Sequence, residues 1–300
     1  VHDRDQAVRE VKTPDGRILT VSVVGPEHGW PVFLLHGTPG SRTGPQPRAT
    51  VLYRRGVRLI SYDRPGYGGS TRYPDRRIVH AAADVAAIAD DLRISRFSVV
   101  GRSGGGPHAL ACAVMLPHRI HRVATLCSMA PNYADIDWYS GMTEENVAEF
   151  SKASDADESA LNGRLLWRAL RTAADPRSLL DHLLPQMVTA DQMVLSDAPI
   201  QVLLVDAYGE AVRSGPFGWI DDVLALRGDW GFRVEDITVP VRVWHGADDN
   251  FSPVSHARWL ASHIPGALFD LHPEQAHFSA IEVLPDMLTW LSTMPANALR

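Results

Sequence analysis

Cysteine is scarce in this sequence: Cys112 and Cys127 are the only two in 300 residues. Both lie in apolar segments, so buried thiols are expected and a disulfide framework is excluded by count. No uninterrupted apolar run reaches the length of about 18 residues that a membrane-spanning helix needs. The opening stretch VHDRDQAVRE is charged and has no apolar centre. No secretory leader is therefore expected, and a cytoplasmic location follows. Basic runs are missing, and so is any Cys/His spacing that would suit a metal. The net charge of -6 supplies no field toward nucleic acid or an anionic membrane. Neither G-x-G-x-x-G nor a Walker lysine occurs, which removes the common phosphate-binding loops. The remaining partner class is a small-molecule substrate, with no cofactor or metal expected. A homo-oligomer is compatible with the sequence but not specified by it.

What is present suits a globular chain with a sizeable core: 45% hydrophobic and 21% charged residues. Residues 8–12 and 18–24 read as two strands joined by TPDGR, whose Pro-Asp-Gly is a turn signal. PVFLLHG (31–37), GVRLISYD (56–63) and RFSVVG (96–101) are short continuous apolar runs, the pattern of parallel strands covered on both faces. RIHRVATLCSM, VPVRVWHG and ALFDLH extend the set to eight. Helical stretches alternate with them. In one, IVHAAADVAAIADDLRI, Val79, Ala82, Ala83, Ala86 and Ala89 share a face, with Asp84 and Asp91 on another. Strand then helix, repeated, predicts a parallel α/β sheet.

Residues 131–235 break this rhythm. They hold helical patterns and little strand, with eighteen acidic against eight basic residues. No Gly- or Ser-rich linker flanks them. The expected organisation is a core of residues 1–130 and 236–300 with a helical insertion, or cap, over 131–235.

Gly101-Arg102-Ser103-Gly104-Gly105 fits G-x-S-x-G between an apolar strand and an alanine-rich helix. A strand passing directly into a helix must turn sharply, and small neighbours let it close. Ser103 is then raised at a helix N-terminus, where backbone N–H groups favour negative charge. The bland alternative is a glycine-rich turn with an idle serine. A serine nucleophile needs a general base, and the base an orienting acid. Later loops offer both: GADDNFSP carries Asp248 and Asp249, and HPEQAHFS carries His272 and His277. His277 falls in the loop proper, whereas His272 ends a strand. His108 and His263 fit helices, and His245 ends a strand. The HGTPG that follows Leu35 would supply the Thr38 N–H to an oxyanion hole, with the Gly104 N–H as the second donor.

Together, VFLLHGTPGSR, RLISYDRPGYGGS, FSVVGRSGGGPHALA, VRVWHGADDNFSP and EQAHFS resemble the α/β-hydrolase superfamily. The resemblance implies an α/β fold with an eight-stranded, mostly parallel sheet, and a capped serine hydrolase with a Ser-Asp-His triad. Its G-x-x-D-x-x-x-P pattern, anchored by Gly246 and Pro253, implies Asp249 as the acid rather than Asp248. The expected reaction is hydrolysis of an ester, or less readily an amide, of a small or medium apolar substrate through an acyl-enzyme. Other readings stay open: a lyase, isomerase, acyl-transfer or perhydrolase reaction on the same triad, and a non-catalytic ligand receptor. An aminopeptidase is a further one. HGTPG and DRPGYGGS are similar to parts of prolyl aminopeptidases, but Thr38 and Gly104 depart from that pattern. Asp63 and Arg64 are expected to shape a loop through a local ion pair. Arg102 either supports its loop by hydrogen bonds or meets an anionic substrate group. From the cap, Trp138 and Tyr139 are the expected substrate contacts.

Overall fold

The computed structural model describes residues 7–151 and 155–293. The first six residues of the charged N-terminal stretch lie outside the described residues. Eight strands form one sheet: β1 (Ala7–Lys12), β2 (Ile18–Val24), β3 (Trp30–Leu35), β4 (Val57–Tyr62), β5 (Phe97–Arg102), β6 (Ile120–Leu126), β7 (Val241–Gly246) and β8 (Leu268–His272). Their spatial order is β1-β2-β4-β3-β5-β6-β7-β8. Strand β2 runs antiparallel to both β1 and β4, and every other pairing is parallel. The expected eight strands and mostly parallel sheet are therefore present.

Helices α1 (Ala49–Arg55), α2 (Ala81–Asp91) and α3 (Gly105–Met115) connect the strands up to β6. Between β6 and β7 come α4 (Glu144–Phe150), α5 (Asp155–Ala174), α6 (Arg177–Leu183), α7 (Thr189–Val194), α8 (Ala198–Ala211) and α9 (Phe217–Arg227), with no strand among the described residues. Helices α10 (Val254–His263) and α11 (Ala280–Ser292) complete the chain. No helix among the described residues is long and apolar enough to cross a membrane.

Continuous apolar runs make strands here because both faces of the sheet are covered. Along β3, Phe33 and Leu35 join one buried cluster, while Val32 and Leu34 join the other. Successive side chains point to opposite faces, so a strand buried on both must be apolar throughout. Each such side chain contributes about 1.5–3 kcal/mol on burial. Cys112 and Cys127 are buried free thiols.

Helix α2 departs from its expected face. Its buried residues are Ala81, Ala82, Asp84, Val85, Ile88 and Ala89, and Ala83 is exposed. A 3-10 turn at Ile78–His80 precedes the helix and buries Ile78 instead of Val79. Within the helix Val85 and Ile88, its largest apolar side chains, set the buried face with Ala81, Ala82 and Ala89. Asp84 is tolerated inside because Arg17 Nη2 donates to it at 2.7 Å.

Asp63 and Arg64 form no local pair with each other. Asp63 binds the Arg42 guanidinium at 2.6 Å and the Arg42 N–H at 2.8 Å. Arg64 is buried against Asp222 of α9, as is Arg76. Tyr67 Oη and Thr38 Oγ1 donate to the same Asp222 carboxylate at 2.9 and 2.7 Å. Burial alone would raise the Asp222 pKa, but the charges of Arg64 and Arg76 hold it well below the aspartate range. Asp222→Ala strands two buried guanidinium groups. An expected loss of about 3–5 kcal/mol of folding stability follows. Urea unfolding checks this, and a loss under about 1 kcal/mol would refute the assigned role.

Candidate active site

All the expected catalytic positions fall at the C-terminal ends of sheet strands, where open α/β sheets place ligands. Ser103 occupies the turn between β5 and α3, with φ of +53°. That left-handed conformation costs a non-glycine residue about 1–2 kcal/mol. The surrounding glycines make it possible by close approach. A Cβ on Gly101 would lie 2.1 Å from the Gly105 carbonyl oxygen, and one on Gly105 would lie 2.2 Å from that of Leu35. The Ser103 N–H donates to Leu126 O at 2.8 Å, and its own carbonyl accepts from the Gly106 N–H at 2.8 Å. The turn is thus fixed rather than loose.

The structure pairs His277 with Asp249 and leaves Asp248 exposed. His277 Nδ1 lies 2.9 Å from Asp249 Oδ2. Asp249 Oδ1 accepts the Phe251 and Ser252 N–H groups, each at 2.8 Å. These bonds orient the carboxylate, and the carboxylate orients the imidazole. Burial would raise the Asp249 pKa, but His277, His245 and the Ser252 N–H outweigh it and the net shift is downward. Burial would lower the His277 pKa. The Asp249 charge and hydrogen bond reverse that, and the net shift is upward. With Nδ1 engaged by Asp249, the lone pair of a neutral His277 falls on Nε2.

Ser103, His277, Thr38, Gly104 and Arg102 line one cavity. Its remaining wall is largely apolar, with Phe150, Leu204, Trp219 and Phe251 among the contributors. Thr38 and Gly104 are in direct contact: a Cβ on Gly104 would fall 2.3 Å from Thr38 Oγ1. Among the described residues no backbone carbonyl accepts the Thr38 or Gly104 N–H.

Trp138 and Tyr139 do not line this cavity. Trp138 Nε1 donates to the Ala130 and Pro131 carbonyls at 3.1 and 3.2 Å, and the ring packs edge-on against His256. Tyr139 Oη donates to Phe150 O at 3.3 Å. The indole, spent on the backbone that leaves β6, braces the exit of the strand. Phe150 and Trp219 take the place expected of this pair.

Three further groups touch the site without a sequence signal. Asp191 of α7 is buried and accepts the Phe278 N–H at 2.6 Å, directly beside His277. Burial pushes its carboxyl up to about 6, against the opposing influence of His277. Asp222 holds Thr38 from α9, while Arg64 Nη2 donates to the Gly37 carbonyl at 3.0 Å. His245, at the end of β7, brings Nε2 to 3.4 Å from Asp249 Oδ2. Of these partnerships only that of His245 with Asp249, four residues apart, is local in sequence.

The relatives of this chain agree with its architecture. Residues 31–282 match the family described as alpha/beta hydrolase fold. A 2-hydroxymuconate semialdehyde hydrolase of Pseudomonas putida is 25% identical over 257 residues, covering 85% of this chain and 83% of its own. A pimeloyl-[acyl-carrier protein] methyl ester esterase of Aromatoleum aromaticum is 28% identical, with 79% and 86% covered. The crystal structure of an enol-lactonase from Burkholderia xenovorans LB400 superposes with a TM-score of 0.68 at 22% identity, over 94% of this chain and 97% of that one. The chain belongs to the alpha/beta hydrolase family. It is an enzyme, and its kinship is with hydrolases of the esterase type.

Proposed function

We propose that this enzyme hydrolyses a carboxylic ester of a small or medium, largely apolar molecule through an acyl-enzyme. The supporting observation is that Ser103, on a strained turn, and His277, bonded to Asp249 behind it, line one mostly apolar cavity. Ser103 Oγ attacks the ester carbonyl carbon while its proton passes to His277 Nε2. The carbonyl oxygen becomes an oxyanion held by the Thr38 and Gly104 N–H groups. Collapse breaks the bond to the alcohol oxygen, which takes the proton from His277 and leaves. Water then gives a proton to His277 and its oxygen to the acyl carbon, and collapse returns the proton to Ser103. The balance is ester plus water to acid plus alcohol. Asp249 stays ionised and stabilises the imidazolium.

Residues 131–235 act in this reading as a helical cap over the core formed by 1–130 and 236–300. Phe150, Arg168, Leu204 and Trp219, all between β6 and β7, contribute to the cavity wall. The Aromatoleum relative is a methyl ester esterase by name, which supports the same reaction class. The experiment is covalent labelling with a fluorophosphonate followed by peptide mass analysis, paired with turnover in ¹⁸O-water. The expected result is a label on Ser103 and one ¹⁸O in the released acid. No label, or product without ¹⁸O, would overturn the proposal.

A further inference from the structure

We infer that Arg102 forms a carboxylate-binding subsite beside the nucleophile, so the enzyme's preferred esters carry a second, anionic carboxylate. This inference rests on the ester-hydrolase reading and names its substrate class. Two arginines line the cavity. Arg168 is consumed: it pairs with Glu145 at 2.8 Å and with Glu149, and its guanidinium lies over the Trp219 ring. Arg102 meets no carboxylate among the described residues. Among the described residues its guanidinium donates one hydrogen bond, a long one, from Nη1 to Pro45 O at 3.3 Å. A guanidinium has five N–H donors, so most of its capacity is unused.

That arrangement leaves a positive charge facing the cavity unmatched. Burial depresses the Arg102 pKa, and Tyr208 and Cys127, neither a carboxylate, are the groups that oppose the shift. The side chain is half-buried, so an anion that enters the cavity can still reach it. A loop prop would need only a single donor to Pro45, for which a charged fork is a poor choice. A carboxylate, by contrast, accepts two parallel N–H bonds from arginine. The approach is open because position 44 is glycine. A methyl group there would lie 3.5 Å from Arg102 Nη2, whereas a larger side chain would project toward the guanidinium. With Glu149 matched by Arg168, Arg102 leaves the permanent charges of the wall at a net single positive. The acidic surplus of residues 131–235 does not extend to the nucleophile's neighbour.

Two pairs of esters, each differing by a methyl against a carboxylate, test the idea. Monoethyl glutarate against ethyl pentanoate places the charge on the acyl side. 4-Acetoxybutanoate against butyl acetate places it on the alcohol side. In at least one pair, kcat/KM is expected to favour the anionic ester by about tenfold or more. Arg102→Met should lower that anionic-to-neutral ratio by about 10–100-fold, the effect of losing a charge-assisted hydrogen bond. Arg102→Lys should retain part of it. No anionic preference in either pair, or a ratio unchanged in Arg102→Met, overturns the subsite while leaving ester hydrolysis standing. If no ester is turned over at all, the hydrolase reading is the one that fails. Calorimetric binding then decides the subsite separately. Ser103→Ala should bind monoethyl glutarate at least tenfold tighter than Ser103→Ala/Arg102→Met does, and equal affinities overturn the proposal.

Discussion

Ser103→Ala is expected to lower ester turnover by about 10⁴-fold or more while leaving folding stability within about 1 kcal/mol. The two halves of this expectation have separate causes. Catalysis falls because, of the hydroxyl groups on the cavity wall, only that of Ser103 stands on a positive-φ turn at a strand end. The Thr38 and Gly104 donors and His277 would remain, and they leave only residual rate. Stability holds because the Ser103 side chain makes no hydrogen bond that the fold requires. Its backbone bonds to Leu126 and Gly106 survive the change. The φ of +53° strains alanine about as much as serine. Steady-state kinetics on a chromogenic ester and urea unfolding measure the two quantities. Turnover within tenfold of the parent protein would remove Ser103 from the mechanism.

Asp249→Asn is expected to cost about 10³–10⁴-fold in kcat. The substituted amide offers an N–H₂ toward His277 Nδ1, which favours a proton on Nε2 and blocks the atom that must accept the serine proton. The pH profile should move as well, and its sign follows from the site. Asp249 raises the His277 pKa, so losing its charge lowers that pKa. The base works only when neutral, so the acidic limb of the residual activity moves to lower pH. A limb that moved to higher pH, or a loss smaller than tenfold, would mean that Asp249 does not govern His277. Asp191 beside the imidazole would then be the group to examine, since it too raises the His277 pKa.

Much of the core was legible because its signals are local. A strand buried on both faces is mostly apolar: β3 is so throughout, and β4 and β5 depart from it only at Arg58, Ser61, Ser98 and Arg102, with a glycine at 101. The turn at Ser103 shows in the sequence because close backbone approach at Gly101 and Gly105 leaves room for no side chain. Asp249 against Asp248 was different. Spacing alone left both open, and only the resemblance separated them. The structure gives the physical distinction: one carboxylate is buried with two backbone donors and His277, and the other faces solvent.

What stayed hidden was carried by long-range or directional information. Thr38 and Asp222 are 184 residues apart, and Asp191 and Phe278 are 87 apart. No local pattern encodes such pairs. Trp138 and Tyr139 were placed near the site by chain proximity to β6, but side-chain direction decides contact, and backbone carbonyls claimed the indole. The face of α2 centres on Val85 and Ile88 rather than on the alanines, and it carries Asp84 inside because Arg17, 67 residues away, pairs with it.

The two buried carboxylates reaching out of the inter-strand helices have a practical corollary for engineering. Asp222 steadies the Thr38 loop from α9, and Asp191 steadies the His277 loop from α7. The segment that shapes the pocket is also wired into the machinery beneath it. Grafting that segment from a relative, to borrow its substrate range, would exchange the supports of the Thr38 and His277 loops, the proposed oxyanion donor and base, together with the pocket wall. In this enzyme, selectivity and competence are not separable modules, and a successful chimera has to carry both aspartates across.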